Sequence, residues 1–386
     1  MGWRIDFLAS APSEDVTSGL SRQVWQLALA LTGRGHSVRV LYPSASLAPP
    51  ARFGDVVPVP VPVLKPSRRP FGRDILVGRN ASALVDRHAD LLVGNDEKAG
   101  ALDRALLRPG GRPVFGMLVH DISLHTFDTL RPLEAPAGVR QKLGNFLDRR
   151  TLRNLEGKAL QSARFIVVGS ELNRQLLERY YAIPPDRVRH LPHGVPDPMD
   201  VGTREAARLA LHVPPDVPMV VFVGRNPERQ GRAIALDAFR RVRSFFPGAR
   251  LVIIGSTVPP EPGVLSLGVV DDETKARAYR AADVILAPSL YEGFGLAPRE
   301  AMRYGVAAII SRQVPRDGIP TPTAWRVPAA EDAGSYASEL AELLADPSLR
   351  HSIAEAGRKY ADELSYARMA EHFEEIFRPV VDRHGS

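Results

Sequence analysis

Short apolar runs alternate with longer stretches of helical period along most of the chain. In the first half, the apolar runs that we predict as strands are Arg4–Ala9, Ser37–Tyr42, Asp90–Gly94, Pro113–Val119 and Arg164–Gly169. The stretches with helical period are predicted helices: Leu20–Thr32, Arg73–Arg87, Val139–Gln161 and Glu171–Tyr181. This alternation is typical of a parallel sheet with crossover helices.

The second half repeats the alternation after Leu191–Gly202, a segment rich in Pro and Gly that we predict as the domain boundary. Its predicted strands are Met219–Gly224, Arg250–Gly255, Asp283–Ala287 and Val306–Ile310. Its predicted helices include Arg232–Phe246, Asp272–Ala281 and Pro298–Tyr304. Open α/β sheets bind ligands beyond the carboxyl ends of their strands, so two such domains facing each other would share a cleft.

Proline and glycine mark irregular places in this pattern. The Pro-rich segment Pro58–Pro70 is predicted to be an extended surface excursion, because proline removes ladder donors and fixes φ. Gly33 and Gly35 are predicted to stop the first helix, since glycine accepts the left-handed conformation at a helix end.

Length and composition narrow the class of protein. At 386 residues the chain exceeds what one hydrophobic core usually spans, which favours two domains. Its 44% hydrophobic and 24% charged residues are typical of a soluble globular protein and argue against disorder. Because the chain has no cysteine, a disulfide framework, a thiolate nucleophile and a Cys-based zinc site are excluded.

Charge and hydropathy indicate location and partners. No apolar run approaches the roughly 18–20 residues that cross a bilayer, and Arg4 and Asp6 interrupt the first run, unlike a secretory signal. We therefore expect a cytoplasmic protein. The formal net charge of +6 indicates anionic partners. Because arginine is scattered and no nucleic-acid-binding module is recognisable, phosphorylated small molecules are favoured over nucleic acid.

The segment after the predicted strand Asp283–Ala287 carries the strongest chemical signal. It reads Pro288-Ser289-Leu290-Tyr291-Glu292-Gly293-Phe294-Gly295-Leu296-Ala297-Pro298-Arg299-Glu300-Ala301-Met302. Gly293 and Gly295 allow a sharp turn and the close approach of a ligand. The amides of Phe294, Gly295 and Leu296 can then converge on a phosphate at the positive end of the following helix.

Glu292 and Glu300 are separated by seven residues, with Glu292 in the loop and Glu300 on the predicted helix. The two oxygens of a carboxylate match vicinal hydroxyls, so one glutamate can hold a donor sugar and the other a nucleotide ribose. The glycine spacing by itself fits a glycine-rich turn with two solvated glutamates equally well.

This segment resembles the Glu-x7-Glu signature of the retaining GT-B glycosyltransferases of family 4. The similarity extends over nearly the whole chain at these landmarks: Ser18-Gly19, Leu27-Ala28, Arg34-Gly35-His36-Ser37-Val38, Val119-His120-Asp121, Val168-Gly169-Ser170-Glu171, Leu191-Pro192-His193-Gly194-Val195, Val223-Gly224-Arg225, Leu267-Gly268 and Tyr279-Arg280-Ala281-Ala282-Asp283. The resemblance implies a GT-B fold, with two Rossmann-like domains facing each other across a cleft. Residues 1–195 would bind the acceptor and residues 196–364 the sugar nucleotide. The C-terminal helix, residues 365–386, would pack back on the first domain.

The resemblance also implies the reaction. A hexose is expected to move from a UDP- or GDP-linked donor to a small acceptor such as a sugar, a secondary metabolite or a lipid head group. Transfer would retain the anomeric configuration and need neither a metal ion nor another cofactor. The chain shows no convincing Asp-x-Asp metal motif, and Asp271-Asp272-Glu273 instead predicts a helix start. Without a metal, protein cations and backbone amides must neutralise the leaving diphosphate.

The resemblance implies the site residues as well. The expected catalytic residues are His120, Glu292 and Arg225, and the expected donor-binding residues are Gly19, Arg225, Arg229, Gln230, Val270, Phe294, Gly295, Leu296 and Glu300. Arg225 can hold phosphate oxygens with two bonds, and His120 can orient the donor sugar through its hydroxyls. Gly19 lets the first helix approach the diphosphate or the acceptor.

Some positions depart from the family's pattern. Gln230 replaces a usual lysine, and Ser18 replaces the first glycine of a pair. Gln230 removes a cation near the diphosphate, which Arg229 or Arg232 would have to supply. His193 stands where asparagine is common, and we interpret it as structural variation.

Other functions stay open. A sugar-nucleotide epimerase uses a similar two-domain scaffold, and a non-catalytic sugar-nucleotide-binding protein fits the lysine lost at Gln230. The predicted helix Val139–Gln161 also places basic residues beside leucines and a phenylalanine, a combination that binds anionic lipid in some proteins. Packing of these leucines in the core is the favoured interpretation of that helix, so a membrane partner is not favoured.

Overall fold

The computed structural model describes residues 2–9, 19–45, 53–63, 71–108, 111–131, 139–317, 325–328 and 332–385. The chain divides into two compact units. Unit 1 comprises Met1–Gly194 and Tyr366–Ser386, and unit 2 comprises Val195–Ser365. The acceptor and donor roles that the sequence assigns to the two halves stay predictions.

Within the described residues, unit 1 contains a seven-stranded parallel sheet. Its strands are β1 (Arg4–Leu8), β2 (Ser37–Ser44), β3 (Val57–Pro62), β4 (Leu91–Gly94), β5 (Val114–Val119), β6 (Phe165–Val168) and β7 (Val188–His190). They lie in the order β3-β2-β1-β4-β5-β6-β7. The helices between them are α1 (Gly19–Gly33), α2 (Gly72–Ser82), α3 (Ser123–Leu130), α4 (Val139–Ser162) and α5 (Glu171–Tyr181).

Unit 2 contains a five-stranded parallel sheet among its described residues, which do not include residues 318–324 and 329–331. Its strands are β8 (Met219–Val223), β9 (Arg250–Ile254), β10 (Val264–Gly268), β11 (Val284–Ala287) and β12 (Ala307–Ile310), in the order β10-β9-β8-β11-β12. Its helices are α6 (Arg204–Ala210), α7 (Arg232–Arg243), α8 (Asp272–Ala281), α9 (Leu296–Arg303), α10 (Ala333–Ala345) and α11 (Pro347–Asp362).

Four strands form continuous apolar runs, which is why the sequence predicted them. Every residue of β4, β5, β11 and β12 is buried. A parallel sheet covered by helices on both faces requires such continuous apolar runs. Every strand predicted from an apolar run is present, and the α/β prediction is confirmed for both units.

The Pro-rich segment after β2 begins as an edge strand, so the prediction of an excursion was wrong for its first part. β3 alternates valine with proline and pairs in parallel with β2. Val63 donates its N–H to the carbonyl of Ser44 at 3.0 Å. Since successive N–H groups of a strand point to opposite sides, the valine amides face β2 and the prolines face the open edge, where no donor is needed. Residues 64–70 lie outside the described residues.

Side-chain caps define where several helices begin. The side chains of Ser170, Thr203, Asp271 and Asp332 each accept the backbone N–H of the residue three positions later, in α5, α6, α8 and α10. Each cap satisfies one of the N–H groups that the first turn of a helix leaves without a partner. The prediction that Asp271 marks a helix start is therefore confirmed.

The last helix, α12 (Tyr366–Gly385), belongs to unit 1 although it follows unit 2 in the chain. Phe373 packs against Phe7 of β1 with ring centroids 5.9 Å apart, and Phe377 packs against Phe165 of β6 at 5.3 Å. The buried apolar side chains of the helix are Met369, Ala370, Phe373, Phe377 and Val380. The core of unit 1 is therefore completed by a segment from the far end of the sequence.

Phe373→Ala should destabilise unit 1, because the ring is 0% exposed and its removal leaves a cavity between α12 and β1. We expect the free energy of unfolding to fall by about 3–5 kcal/mol. Phe146→Ala is the matched control, since that ring is 60% exposed and its removal should cost at most about 0.5 kcal/mol. Urea unfolding followed by circular dichroism measures both variants, and equal losses would contradict the packing of α12.

Candidate functional site

Two loops of unit 2 leave the sheet side by side. β8 lies between β9 and β11, and the three strands run parallel. The segments after β8 and β11 therefore emerge where the strand order reverses, the usual ligand site of an open α/β sheet. Leu290 donates its N–H to the carbonyl of Arg229 at 2.7 Å, which joins the loops. Gly231, with φ of 71°, permits this approach, because a Cβ there would lie 2.0 Å from the carbonyl oxygen of Pro288.

Glu292 is the centre of a polar cluster between these loops. Ser289 Oγ donates to Oε1 of Glu292 at 3.2 Å, and Gln230 Nε2 donates to the same oxygen at 3.4 Å. Arg229 Nη2 lies 3.5 Å from Oε2. Gln230 also accepts the N–H of Asn226 at 3.0 Å, so both ends of its amide are held. The structure thus brings together three residues that the sequence predicted: Arg229, Gln230 and Glu292.

The other two arginines of the β8 loop take different positions. Arg225 follows β8 almost directly and is exposed, where an anionic ligand can reach it. Arg232 is turned elsewhere, since its Nη1 donates to the carbonyl of Thr257 at 3.0 Å. Of the two candidates to replace the missing lysine, it is therefore Arg229 that stands at Glu292.

A buried arginine donates hydrogen bonds to the backbone carbonyls of the glycine loop that follows Glu292. Arg299 is 0% exposed, and its Nη1 donates to the carbonyl oxygens of Phe294 and Gly295, the latter at 3.1 Å. Its guanidinium carbon lies 4.1 Å from the centre of the Phe294 ring. In a trans peptide the C=O and the following N–H point in opposite directions. The N–H groups of Gly295 and Leu296 therefore point away from Arg299, as a phosphate at the start of α9 would require.

Glu300, on α9, contacts two side chains of α8. Its Oε2 accepts the hydroxyl of Tyr279 at 3.1 Å and pairs with Nζ of Lys275 at 2.8 Å. Sequence reasoning singled out the Tyr279 segment but missed Lys275. The available signal was helical spacing, because Lys275 and Tyr279 are four residues apart and share one face of α8.

In unit 1, His120 follows β5 and is 2% exposed. Its Nδ1 lies 3.0 Å from Nε2 of His193, and its backbone carbonyl accepts the side-chain N–H of Asn173 at 2.7 Å. Burial lowers the pKa of His120 to about 4, against the opposing charges of Asp121 and Asp96. The ring is therefore neutral at pH 7, with one donor and one acceptor nitrogen.

Asn95 is a further polar residue near the carboxyl ends of the strands of unit 1, where His120 also lies, and sequence reasoning missed it. It follows β4 and is 6% exposed, and its Oδ1 and Nδ2 have no hydrogen-bond partner among the residues that the structure describes. Gly94 of β4 pairs with Met117 of β5, so alternation along the strands places Asn95 and His120 on the same face. A buried amide without partners is costly, which makes Asn95 a candidate ligand-binding group.

The remaining predicted residues lie at element ends. Gly19 begins α1 and is exposed, whereas Ser18 lies outside the described residues. Val270 is half-buried in the connection between β10 and α8. In the described parts of the chain, no group of three or more His, Asp or Glu side chains is arranged to hold a metal ion. The expected independence of a metal stays a prediction.

Helix α4 departs from its favoured interpretation. Leu152 is 2% exposed, as expected for a core residue, but Leu143, Phe146 and Leu147 are 61%, 60% and 53% exposed. Core packing was therefore the wrong interpretation for the first half of the helix. In the portion of the chain that is described, no helix combines the length and the apolar character needed to span a bilayer.

Comparison with known proteins gives two family matches and several similar proteins. A family described as "Glycosyl transferases group 1" matches residues 203–360, and one described as "Glycosyltransferase Family 4" matches residues 17–197. The phosphatidyl-myo-inositol mannosyltransferase of Mycolicibacterium smegmatis is 30% identical over 360 residues, 88% of this chain and 84% of that protein. The D-inositol 3-phosphate glycosyltransferase of Segniliparus rotundus is 31% identical over 248 residues, 58% of this chain. That match spans 54%, about half, of the relative's length.

The fold is also found among solved structures. Sucrose-phosphate synthase from Thermosynechococcus elongatus matches with a TM-score of 0.78 at 21% identity, covering 99% of this chain and 100% of that one. Identity this low shows a shared fold and carries no statement about substrates.

The protonation of His120 can be tested by nuclear magnetic resonance. Because its pKa in the folded chain is about 4, the ring should show no titration between pH 8 and about pH 5.5. In urea the same ring should titrate near its ordinary value of about 6.5. The unfolded chain thus binds the proton more tightly, so this ring lowers the stability of the fold as the pH falls from about 6.5 to about 4. A folded-state titration near pH 6.5, assigned by loss of the signal in His120→Ala, would contradict the burial of the ring.

Proposed function

The chain belongs to the GT-B glycosyltransferases of family 4, and from that membership we propose that it transfers a hexose from a UDP- or GDP-linked donor to a small hydroxylated acceptor. The proposal includes retention of the anomeric configuration and independence of a metal ion. The polar cluster around Glu292 carries it, because carboxylate, amide and guanidinium groups meet there beside the start of α9. Such a cluster suits a ligand that joins hydroxyls to a diphosphate.

The groups of unit 2 divide between the two ends of such a donor. Arg225, Arg229 and the amides of Gly295 and Leu296 are proposed to neutralise the diphosphate. Glu292 is proposed to bind hydroxyls of the hexose. At the other end, the carboxylate of Glu300 would accept the ribose hydroxyls, and its neighbours Lys275 and Tyr279 orient it.

The proposed chemistry is a front-face transfer. The bond between the anomeric carbon and the diphosphate oxygen breaks while the acceptor hydroxyl forms its bond from the same face. A donor phosphate oxygen takes the acceptor proton, so no protein carboxylate need act as a covalent nucleophile. Stabilisation of the leaving diphosphate by fixed cations and amides is then the main contribution of the protein. For His120 we keep the role that the resemblance implies, hydrogen bonding to hydroxyls of the sugar.

The acceptor is proposed to be a polyhydroxylated small molecule or head group. Both relatives quoted above are named for inositol derivatives, so an inositol-type polyol is the first acceptor to test. The exposed Leu143, Phe146 and Leu147 on the basic helix α4 make a lipid-linked polyol the second. A cytoplasmic location is part of the same proposal.

Transfer should be detectable by incubating the chain with UDP- and GDP-hexoses and an acceptor panel, followed by proton NMR of the product's anomeric centre. We expect the donor configuration to be retained. Glu292→Gln should lower kcat roughly a hundredfold, because the charged acceptor for the sugar is lost. Glu300→Gln should weaken nucleotide binding at least about tenfold through the ribose.

The rival functions give different results in the same experiment. An epimerase would convert the sugar nucleotide without any acceptor. A non-catalytic binding protein would raise its unfolding midpoint with a nucleotide and release no product. Wild-type rate and affinity in both glutamate variants would show that the site is elsewhere.

The cation that replaces the missing lysine can be identified by titration calorimetry with the nucleoside diphosphate. Arg225→Ala should weaken binding most, Arg229→Ala less, and Arg232→Ala hardly at all, since Arg232 is turned to Thr257. Gln230→Lys should tighten binding about tenfold by restoring a charge-assisted contact. Gln230→Leu is the control for losing the bond to Asn226 without gaining a charge. Unchanged affinity in Arg225→Ala would show that the diphosphate does not bind at this loop.

A further inference from the structure

His193 makes a direct contact with the proposed catalytic histidine. It follows β7, and both His193 and His120 are 2% exposed. Their ring centroids lie 4.7 Å apart, with an angle of 61° between the ring planes. Nδ1 of His120 is 3.0 Å from Nε2 of His193, a hydrogen bond between residues 73 positions apart in the chain. The interpretation of His193 as structural variation is therefore insufficient.

Gly169 makes room for the His193 ring. It follows β6, and a Cβ at this position would lie 2.7 Å from Cε1 and 2.8 Å from Nε2 of His193. Real Cβ atoms do not approach other atoms so closely, so any side chain at residue 169 would displace the ring. The backbone of Gly169 thus forms one wall that keeps His193 against His120.

The contact decides which nitrogen of His120 is left for a ligand. A hydrogen bond between two ring nitrogens needs one donor and one acceptor, and either ring can donate. In both arrangements Nδ1 of His120 is occupied. Nε2 of His120 makes no hydrogen bond to any part of the chain that the structure describes. Asn173 holds the backbone carbonyl of the same residue at 2.7 Å, so His120 is held at two points.

We propose that His193 is the positioning residue of His120: it binds Nδ1 and thereby presents Nε2 of His120 to a substrate hydroxyl. The inference rests on the proposed function, in which His120 contacts the sugar. Burial keeps His120 neutral at pH 7, so its Nε2 can act towards a hydroxyl as a single donor or a single acceptor. This arrangement assigns a role to a residue outside the catalytic set that the sequence predicted.

Three variants separate the hydrogen bond from the packing. His193→Phe keeps a ring of similar volume and removes both nitrogens. His193→Gln keeps a polar amide at about the reach of the imidazole Nε2, so it should restore the contact. The shorter side chain of His193→Asn does not reach the position of Nε2, so this variant also loses the hydrogen bond. It replaces His193→Phe if the phenylalanine variant fails to fold.

The first measurement is nitrogen NMR of the full chain labelled with ¹⁵N-histidine, which needs no substrate. In the wild type and in His193→Gln, Nδ1 of His120 should show the chemical shift of a hydrogen-bonded nitrogen. In His193→Phe and His193→Asn this contribution to the Nδ1 shift should be lost. Identical His120 signals in all four proteins would overturn the proposal.

The second measurement is a double-mutant cycle on the rate at which the chain hydrolyses a sugar nucleotide without an acceptor. The probe is whichever UDP- or GDP-hexose raises the unfolding midpoint of the wild type most. His193→Phe should lower this rate at least about tenfold in the wild-type background and no more than about twofold in His120→Ala. His193→Gln should stay within about threefold of the wild type. Equal losses in both backgrounds would mean that His193 does not act through His120.

Different results would refute the proposed function of His120 and the positioning role of His193. A His120→Ala variant with the wild-type rate would refute the role of His120 in the proposed function. A slow His120→Ala variant combined with a fully active His193→Phe variant would leave that function standing and refute only the positioning role of His193.

Discussion

The reversal of strand order at β8 is the constraint on which the candidate donor site of unit 2 depends. Helices cover both faces of the sheet, so ligands can approach its backbone only beyond the strand ends. The segments after β8 and β11 leave the sheet as neighbours, and their contact requires Gly231, which allows the backbone to approach Pro288. The bond between Gln230 and Glu292, 62 residues apart, follows from this proximity.

Arg299 provides the support that this loop needs. A fully buried guanidinium loses its hydration, and here carbonyl oxygens and aromatic rings replace the water. Its donors hold the loop by the carbonyls, which leaves the opposite ends of the same peptides, the N–H groups, directed away from it. The buried charge also adds to the positive potential at the start of α9, where an anion is proposed to bind. In unit 1 the corresponding group is the neutral ring of His120, whose Nδ1 contacts His193 and whose backbone carbonyl accepts from Asn173.

Much of the fold could be predicted because the central strands must be apolar on both faces. Three of the edge strands, β3, β7 and β10, do not follow this rule, whereas the edge strand β12 is buried throughout. β7 has two exposed residues out of three, and β10 is mostly half-buried, so neither forms a continuous apolar run. β3 was misinterpreted because its prolines are compatible with a strand only when they face an open edge. That condition depends on the position of the strand in the sheet, and the sequence of a single segment does not specify this position.

The site divides in the same way. Glu292, Gly295 and Glu300 lie in one continuous segment, so the sequence by itself determined that a glycine loop with one carboxylate opens a helix that carries a second. Only the tertiary structure decided that Arg229 and not Arg232 reaches Glu292, because Arg232 begins α7 beyond Gly231 and donates to the carbonyl of Thr257. It also decided that His193 meets His120, since two strand ends remote in sequence become neighbours only when the sheet has formed. Local sequence specifies the groups that are available, whereas the sheet order specifies which of them come within hydrogen-bonding distance.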